Sequence, residues 1–391
     1  MEGEMKAGLK IIGASAVMLL LSSGANAELL ALMNYESKVG QSNRREGIAV
    51  IDVDPTSSNF NKIIKDTPLP PDYVAHHIYY SKDLRKAYVT SLGHSELYVY
   101  DMASFPEKKT IVQVPECKVG EDVTFSEDGK RWYLSCMGSS NIIVGDAQTD
   151  KALSVIGPKG DSSDKFILYP HGVTLNDEID RIFATSTVNP GDFREAGETV
   201  SVIEASTGKI LSTHKLSTKA SPSGEAPVEI AFIPGKKPEM AYIDNMYGGA
   251  LWAATWRSES KDFHFQPVFD FSGTGQGLPL EMGFNEKGDR LYITTAKPGA
   301  FNILDISDVY KPKLLTTIPT AGGAHHFVFS PDNRYAIVQN SFVNLPEMDD
   351  GSVSVIDLEK NKVVATVDVL KKMGLTPNCI IAMPSWHRGA D

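Results

Sequence analysis

The feature that most constrains this chain is a repeated strand–turn–strand pattern. Six segments each combine a short apolar strand, a polar turn and a second strand with an aromatic residue near its start, as in HHIYYSKDLRKAYVTS and HHFVFSPDNRYAIVQN. They begin at residues 76, 121, 171, 228, 280 and 325, so successive starts are 45, 50, 57, 52 and 45 residues apart. Alternating apolar residues around turn residues predict a β-hairpin in each segment. Repeats of this length, built from strands, are typical of propellers.

The two chain ends supply the missing part of the ring. A third strand follows each hairpin and a fourth closes most units, which gives six four-stranded blades. Three unpartnered strand-like runs lie at 29–34, 47–53 and 62–66, and a lone one at 378–383. We therefore predict an all-β, seven-bladed β-propeller closed by three N-terminal strands and one C-terminal strand. It forms one domain over residues 28–391, with about 52 residues per blade.

The first 27 residues have the pattern of an export signal. Lys6 and Lys10 precede an apolar stretch at 11–21, and Ala25-Asn26-Ala27 follows. A charged segment, a short apolar segment and an A-x-A site predict a signal peptide cleaved after Ala27. Eleven apolar residues are too few to span about 30 Å of hydrocarbon. No later segment is long and apolar enough either, so we expect a periplasmic protein without a membrane span.

The net charge and the cysteine content exclude some classes of partner and cofactor. The net charge is −11, and no long basic run occurs, which excludes nucleic acid as a partner. The three cysteines are Cys117, Cys136 and Cys379, and no CxxCH motif is present, which excludes c-type haem. The sequence favours buried structural thiols over a Cys117–Cys136 disulfide.

The unusual residues share one repeat phase. Each first strand is preceded by a pair of residues that we call a doublet: His76-His77, Glu121-Asp122, His171-Gly172, Val228-Glu229, Leu280-Glu281, His325-His326 and Asn378-Cys379. Five of the nine histidines lie in these doublets. First strands line the central channel of a propeller, so the doublets should gather at one mouth. Because adjacent strand residues face opposite ways, one member of each doublet is expected to point inward.

This ring of imidazoles and carboxylates predicts a metal site. The expected ligands are His76, His77, His171, His325 and His326. Glu229 and Glu281 are expected to complete the shell or to accept a proton during catalysis, and Glu121, Asp122 and Cys379 to line the channel. A hydrogen-bonded polar plug without metal is the alternative. The other histidines, at positions 94, 214, 264 and 387, are expected to be solvated.

Several segments resemble the selenium-binding protein / methanethiol oxidase family. The stretch GIAVIDVDPTSSNFNKIIKDTPLPPDYVAHHIYYS (47–81) is similar to that family's N-terminal region, where a VDVDP segment leads to paired histidines. PVEIAF (227–232), DRLYITTAKPGAFNILDISDVYKPKL (289–314) and GGAHHFVFSPDNRYAIV (322–338) are further similarities. His76 and His77 match the paired histidines, and Glu229 and Glu281 fall in recurring P-x-E segments. The family cysteine proposed to bind selenium corresponds to Asn61.

The resemblance implies a copper-dependent oxidation of methanethiol to formaldehyde, hydrogen sulfide and hydrogen peroxide. It also implies a seven-bladed propeller and, for bacterial members, export to the periplasm. We therefore expect a periplasmic copper oxidoreductase acting on a small thiol, with a periplasmic electron acceptor or protein as a further partner. The histidine-rich channel is also similar in kind to the copper propellers of nitrous oxide reductase and thiocyanate dehydrogenase. Two alternatives stay open: a non-catalytic metal-binding or chaperone propeller, and a YVTN or lactonase-like propeller.

Overall fold

The computed structural model describes residues 29–384 and is built almost entirely of antiparallel β-sheet. The predicted signal peptide and His387 lie outside these residues. The strands, in chain order, are β1 (Leu30–Ser37), β2 (Glu46–Asp52), β3 (Ile63–Leu69), β4 (Ala75–Tyr80), β5 (Lys86–Ser91), β6 (Glu96–Asp101), β7 (Lys109–Gln113), β8 (Gly120–Phe125), β9 (Arg131–Cys136), β10 (Asn141–Asp146), β11 (Lys151–Ile156), β12 (Val173–Asn176), β13 (Arg181–Thr185), β14 (Val188–Asn189), β15 (Asp192–Ala196), β16 (Thr199–Glu204), β17 (Lys209–Lys215), β18 (Pro227–Phe232), β19 (Met240–Asn245), β20 (Ala250–Arg257), β21 (Asp262–Asp270), β22 (Gly277–Phe284), β23 (Arg290–Lys297), β24 (Ala300–Asp305), β25 (Lys313–Pro319), β26 (Ala324–Phe329), β27 (Tyr335–Asn340), β28 (Val353–Asp357), β29 (Lys362–Val367) and β30 (Leu375–Ala382). The helices are three 3₁₀ turns, Met102–Ser104, Met137–Ser139 and Ser272–Thr274, and one α-helical turn, Val369–Lys372.

Seven four-stranded sheets form the blades, which confirms the predicted fold class. Blade 1 has the strand order β3-β2-β1-β30, so the last strand of the chain closes the ring against the first, as predicted. Blades 2 to 7 follow in chain order and begin at β4, β8, β12, β18, β22 and β26. Blade 4 alone among them carries an extra hairpin, β14–β15, between its second and third strands. Within residues 29–384, no helix is long and apolar enough to cross a membrane.

The hydrophobic core lies between neighbouring blades. Alternating strand residues point to the two faces of each sheet, and each face packs on the next blade. Trp132 and Tyr88, for example, are fully buried in one cluster shared by blades 2 and 3. The outer strands alternate between exposed and partly buried residues, as in β29. This packing fixes the first strands around the axis, where the doublets lie.

In blades 2, 3, 5, 6 and 7 the doublet is a β-bulge, which corrects the expectation that strict alternation lets only one member of each doublet face the channel. In blade 2, Ala75 pairs with Ser91 and Ile78 with Val89, so His76 and His77 together oppose Thr90. The same register shift occurs at the doublets of blades 3, 5, 6 and 7. A bulge places two residues opposite one and breaks strict alternation. Both histidines of blade 2 are consequently buried, and their rings stack at a centroid distance of 4.0 Å.

A second ring of polar residues supports the doublets. We call it the polar collar; its members lie on the strand paired with each doublet, are at most 1% exposed, and are Asn34, Thr90, Ser135, Thr185, Asp244, Thr294 and Gln339. Each hydrogen-bonds to the backbone of a doublet. Asn34 Nδ2 donates to the carbonyl of His76 at 2.8 Å, and Thr294 Oγ1 donates to that of His325 at 2.7 Å. The collar therefore holds the irregular backbone of one blade to the next.

Cys117 and Cys136 form a disulfide, so the preference for buried free thiols was wrong at these positions. Cys117 precedes β8 and Cys136 ends β9, and antiparallel pairing of these strands brings their Cα atoms to 5.2 Å. Sequence spacing alone does not reveal this proximity, because it depends on the register of the hairpin. Cys379 is a buried free thiol, and burial raises its pKa to about 12.

Candidate metal centre

Four doublet side chains from three blades converge at one mouth of the channel. His76, His77, Glu121 and His171 each offer one donor atom, and these atoms lie within 4.8 Å of one another. His76 Nε2 is 3.0 Å from Glu121 Oε2, and His171 Nε2 is 3.6 Å from the same oxygen. All four residues are at most 6% exposed. We call this group the first cluster.

Several polar atoms of the first cluster are buried without a hydrogen-bond partner. Glu121 Oε2 has no hydrogen-bond partner, although His76 Nε2 approaches it closely, because the two groups are not aligned for a bond. His76 Nδ1 and His77 Nε2 are also buried without partners. Around a tetrahedral ion with bonds of about 2.0–2.1 Å, neighbouring ligand atoms are about 3.3 Å apart. The spacing in the first cluster brackets that value, so the residues present fit a metal ion.

A second group shares His171 with the first. Asp122, His171 and Glu229 place donor atoms within 4.8 Å of one another, and His171 Nδ1 is 3.1 Å from Glu229 Oε1. Burial lowers the pKa of His171, but the charges of Glu121 and Glu229 outweigh this and raise it to about 10. Burial, with the charge of Asp122, raises the pKa of Glu229 to about 8. We call this group the second cluster.

Two histidines have one nitrogen held by a carboxylate and the other left free. Glu281 Oε2 is hydrogen-bonded to His326 Nδ1 at 2.8 Å, while His326 Nε2 is buried without a partner. Asp122 Oδ1 lies 3.0 Å from His77 Nδ1 and also accepts a hydrogen bond from the Tyr79 hydroxyl. Carboxylate–histidine pairs of this kind orient imidazoles that bind metal through the other nitrogen.

The histidines of blades 2 and 7 are adjacent. The ring centroids of His77 and His326 are 4.7 Å apart, and those of His325 and His326 are 3.8 Å apart. Burial, together with the neighbouring histidines, lowers the pKa of His77 and of His325 well below its ordinary value. These rings are therefore neutral at neutral pH, and neutral imidazole is the form that binds metal.

A small cavity opens onto the first cluster. Its volume is about 190 Å³. The polar groups at one side of it are His76, Glu121, His171 and His325. The walls are mainly apolar and include Leu92, Met137, Val188, Met246 and Phe342. The added hairpin of blade 4 contributes Phe193, whose carbonyl accepts a hydrogen bond from Tyr247 at 3.1 Å. A small, weakly polar molecule fits such a space.

The structure brings most of the predicted site residues together. His76, His77 and His171 share a cluster with Glu121, which was expected only to line the channel. His325 and His326 lie beside this cluster, and Glu281 contacts His326. Cys379 lies in the apolar cluster that includes Ile78 and Met383, and belongs to neither donor group.

The remaining histidines in the described residues lie away from the mouth. His94 lies in the turn before β6 beside Asp72, and His214 and His264 lie on the outer strands β17 and β21. Asn61, at the position of the family cysteine, has a φ of 64° and accepts hydrogen bonds from the backbone of Asp368 and Val369. Its role in the structure is therefore to join a turn to the short C-terminal helix.

Sequence reasoning missed Tyr79 and the polar collar. The signal for the collar is present in the aligned second strands, where AYVTS, WYLSC, IFATS, AYIDN, LYITT and AIVQN each carry a polar residue after an apolar run. Tyr79 has no such repeated signal. Its role depends on the neighbouring blade, which places Asp122 beside its hydroxyl.

Fold and site together define a seven-bladed propeller with a buried histidine–carboxylate group at its channel mouth. The sequence matches no protein-family model and no curated protein sequence. A solved structure of a hypothetical selenium-binding protein from Sulfolobus tokodaii is similar at a TM-score of 0.72 and 14% identity, over 93% of this chain and 92% of that one.

Lactonase-like propellers are similar as well. The periplasmic gluconolactonase of Pseudomonas aeruginosa has a TM-score of 0.63 and 13% identity, over 91% of this chain and 99% of that one. A putative 6-phosphogluconolactonase from Bacteroides fragilis has a TM-score of 0.62 and 13% identity, over 93% and 99% of the two chains. At these identities the likeness shows the shared propeller fold and no activity.

Proposed function

We propose that this protein is a copper-dependent oxidoreductase that acts on a small sulfur compound. The observation that carries the proposal is the first cluster, where three imidazoles and one carboxylate converge in a buried position and Glu121 Oε2 and His77 Nε2 have no hydrogen-bond partner. Imidazole-rich sets suit copper, zinc, iron or nickel. Copper is preferred among these because of the sequence resemblance to the methanethiol oxidase family and the shared fold with a selenium-binding protein.

His76, His77 and His171 would hold the metal, with Glu121 beside them and His325 and His326 adjacent. Bound copper would supply one-electron redox chemistry and lower the pKa of a thiol that coordinates it. Asp122 and Glu281 would orient His77 and His326 through their Nδ1 atoms. Glu229, whose pKa is raised to about 8, is a carboxyl group that could exchange a proton with the substrate when no ion occupies the second cluster.

The cavity supports a small thiol such as methanethiol as substrate. Its apolar walls would bind a methyl group, and its polar side would place a sulfur atom against the first cluster. The substrate must fit a small cavity and offer a sulfur atom that can bind copper. These two requirements exclude large, charged substrates. An electron acceptor would be oxygen or a periplasmic partner.

A periplasmic location belongs to the same proposal. Residues 1–27 carry the export pattern, and the Cys117–Cys136 disulfide suits an oxidising compartment.

Metal content and oxygen uptake test the proposal. Protein expressed with its leader should contain stoichiometric copper and consume oxygen when methanethiol is added. His171→Ala and His325→Ala should lose copper or turnover, while His264→Ala, on an outer strand, should keep both. Absence of stoichiometric copper, or copper retained in both doublet variants, would overturn the proposal. Copper without any oxygen uptake would instead support the non-catalytic metal-binding alternative.

A lactonase is the second candidate, favoured by the second cluster. Two carboxylates and an imidazole accept a harder divalent ion than three imidazoles do, and such an ion could polarise a lactone carbonyl. The fold shared with a periplasmic gluconolactonase supports this reading. Hydrolysis of a gluconolactone that depends on added divalent metal, with no reaction of methanethiol, would decide for it.

A further inference from the structure

We propose that the channel mouth holds two metal ions, one in each cluster, bridged by the imidazole ring of His171. This inference extends the proposed function by adding a second ion to the same site. The second ion would be bound by Asp122, Glu229 and Nδ1 of His171, and the first by His76, His77, Glu121 and Nε2 of His171.

The two nitrogens of His171 point to different donor sets. Nε2 lies 3.6 Å from Glu121 Oε2 in the first cluster, whereas Nδ1 lies 3.1 Å from Glu229 Oε1 in the second. A five-membered ring carries its nitrogens on opposite sides of one carbon, so a single ion cannot bind both. Each cluster independently brings three or more donor atoms within 4.8 Å of one another.

The contact between His171 and Glu229 is compatible with two ligands of one ion. His171 is 6% exposed, and its Nδ1 makes no aligned hydrogen bond although Glu229 Oε1 lies 3.1 Å away. The pair formed by Glu281 and His326 is aligned, with Glu281 Oε2 at 2.8 Å from His326 Nδ1. A separation of 3.1 Å is close to that of neighbouring ligand atoms around one ion.

The two sites differ in chemistry. The first, rich in imidazole, suits copper, while the second, with two carboxylates, suits zinc or another borderline divalent ion. When both nitrogens of His171 bind metal, two nitrogen–metal bonds form and the ring, which is an imidazolium in the metal-free protein, gives up both of its N–H protons to solvent. The resulting negative charge is balanced by the second ion.

Metal stoichiometry after loading tests this inference. Metal-free protein is incubated with excess Cu²⁺ and Zn²⁺, freed of unbound metal by gel filtration and analysed by mass spectrometry for total metal per chain. Wild type should retain two ions, and Glu229→Gln and Asp122→Asn one each. Glu178→Gln is the matched control, since it makes the same change at an exposed glutamate in the turn after β12, in the blade of His171, and should retain two. Circular dichroism of each variant checks that it is folded.

Electron paramagnetic resonance adds a second measurement. If Glu229 only oriented His171, the Glu229→Gln variant would not change the ratio of signal to copper content. With Cu²⁺ alone in both sites, coupling through the bridging ring should make the integrated signal smaller than the copper content. Glu229→Gln should restore a signal equal to its copper content. One ion per chain in the wild type, or two ions retained in both Glu229→Gln and Asp122→Asn, would overturn the inference. Two bridged ions without thiol oxidation would support the two-ion inference and overturn the proposed oxidase function. Thiol oxidation with one ion per chain would support the oxidase function and overturn the two-ion inference.

Discussion

The doublets and the polar collar are two rings of buried polar residues that circle the same channel. They differ in which of their side-chain atoms are hydrogen-bonded. Every collar residue bonds to the backbone of a doublet, although Asn34 Oδ1 and Asp244 Oδ2 have no partner, whereas the histidines of the doublets make few hydrogen bonds and leave His76 Nδ1, His77 Nε2 and His326 Nε2 unpartnered. Buried polar groups are normally satisfied, because an unmet donor or acceptor costs about 1–3 kcal/mol. The collar therefore serves folding, while the doublets are suited to a ligand that replaces the missing bonds.

Removal of a doublet imidazole is expected to have the largest effect on ligand binding. His171→Ala should weaken metal binding by more than about 100-fold, since loss of a mere supporting partner already costs 10–100-fold. Competition with a chelator of known affinity measures the change. His264→Ala, on the outer strand β21, should bind metal as the wild type does. Equal affinity in both variants would remove the distinction between the doublets and ordinary histidines.

The disulfide should have the largest effect on stability. It joins the loop before the doublet of blade 3 to the residue next to Ser135 of the collar, so it cross-links the chain close to both rings. Cys117→Ala combined with Cys136→Ala should lower the free energy of unfolding by about 3 kcal/mol, as expected for a loop of this size. Denaturant unfolding measures the loss, with Cys379→Ala as the control that deletes a buried thiol without breaking a cross-link. A loss no larger than that of the control would contradict the prediction.

A collar substitution should affect stability and leave metal ligands in place. Thr294→Val keeps the shape of the side chain but leaves the carbonyl of His325 without its donor, at a cost of about 1–3 kcal/mol. Chemical denaturation gives the stability, and metal stoichiometry should not change. Thr110→Val, on the exposed face of β7, provides a comparison that should be nearly neutral. If Thr294→Val removed metal without lowering stability, the collar would belong to the site.

The stability of the metal-free protein should depend on pH, and this dependence should distinguish groups with a raised pKa from groups with a lowered pKa. The pKa values of His171 and Glu229 are raised to about 10 and about 8, so their contribution to stability is present at low pH and is lost as the pH rises. The pKa values of His77 and His325 are lowered, so their contribution is present above the ordinary histidine range and is lost as the pH falls. Above the ordinary histidine pKa of about 6.5 only the first contribution still changes, so stability should fall as the pH rises further.

Thermal unfolding in EDTA between pH 5 and pH 9 measures this profile. Glu229→Gln should flatten the alkaline side, because its side chain cannot lose a proton. Added metal should flatten the same side in the wild type by displacing the proton of His171. A wild-type profile that rises steadily toward pH 9 in EDTA would contradict these assignments.

The smallest effect is expected at Asp244, the one acidic member of the collar. Burial, together with the charge of Glu229, raises the pKa of Asp244 well above its ordinary value, which favours the neutral form of the side chain. Asp244→Asn should change the free energy of unfolding by less than about 0.5 kcal/mol. Asp244→Ala should cost more, because the backbone N–H of Glu229 loses its acceptor. Calorimetry at pH 7 compares the two, and a large loss in Asp244→Asn would show that a charge is needed there.

The fold could be predicted from the sequence because each blade repeats its own local signals. Apolar alternation and turn residues gave the strands of blades 2 to 7, and the unpartnered runs at both ends gave the closure by β1 and β30. The repeat phase also selected His76, His77 and His171 as neighbours in space, although they come from two blades.

The parts that were not predicted depend on register and on contacts between blades. Strict alternation failed at His76-His77 because a bulge is invisible in a pattern of period two. The disulfide depended on the pairing of β8 with β9, and the separation of two clusters on which nitrogen of His171 faces which carboxylate. These features depend on distances between strands and between blades, and repeat spacing carries no information about such distances.

The closure of blade 1 has a consequence for the order of events during synthesis. Strand β1 lies between β2 and β30, and β30 ends only at Ala382, near the end of the chain. Six blades can form as they emerge, but the ring stays open until the last strand is made. The edge of β1 that pairs with β30 must remain free until then. A chain shortened before β30 should for this reason expose a free sheet edge and self-associate, however many complete blades it retains.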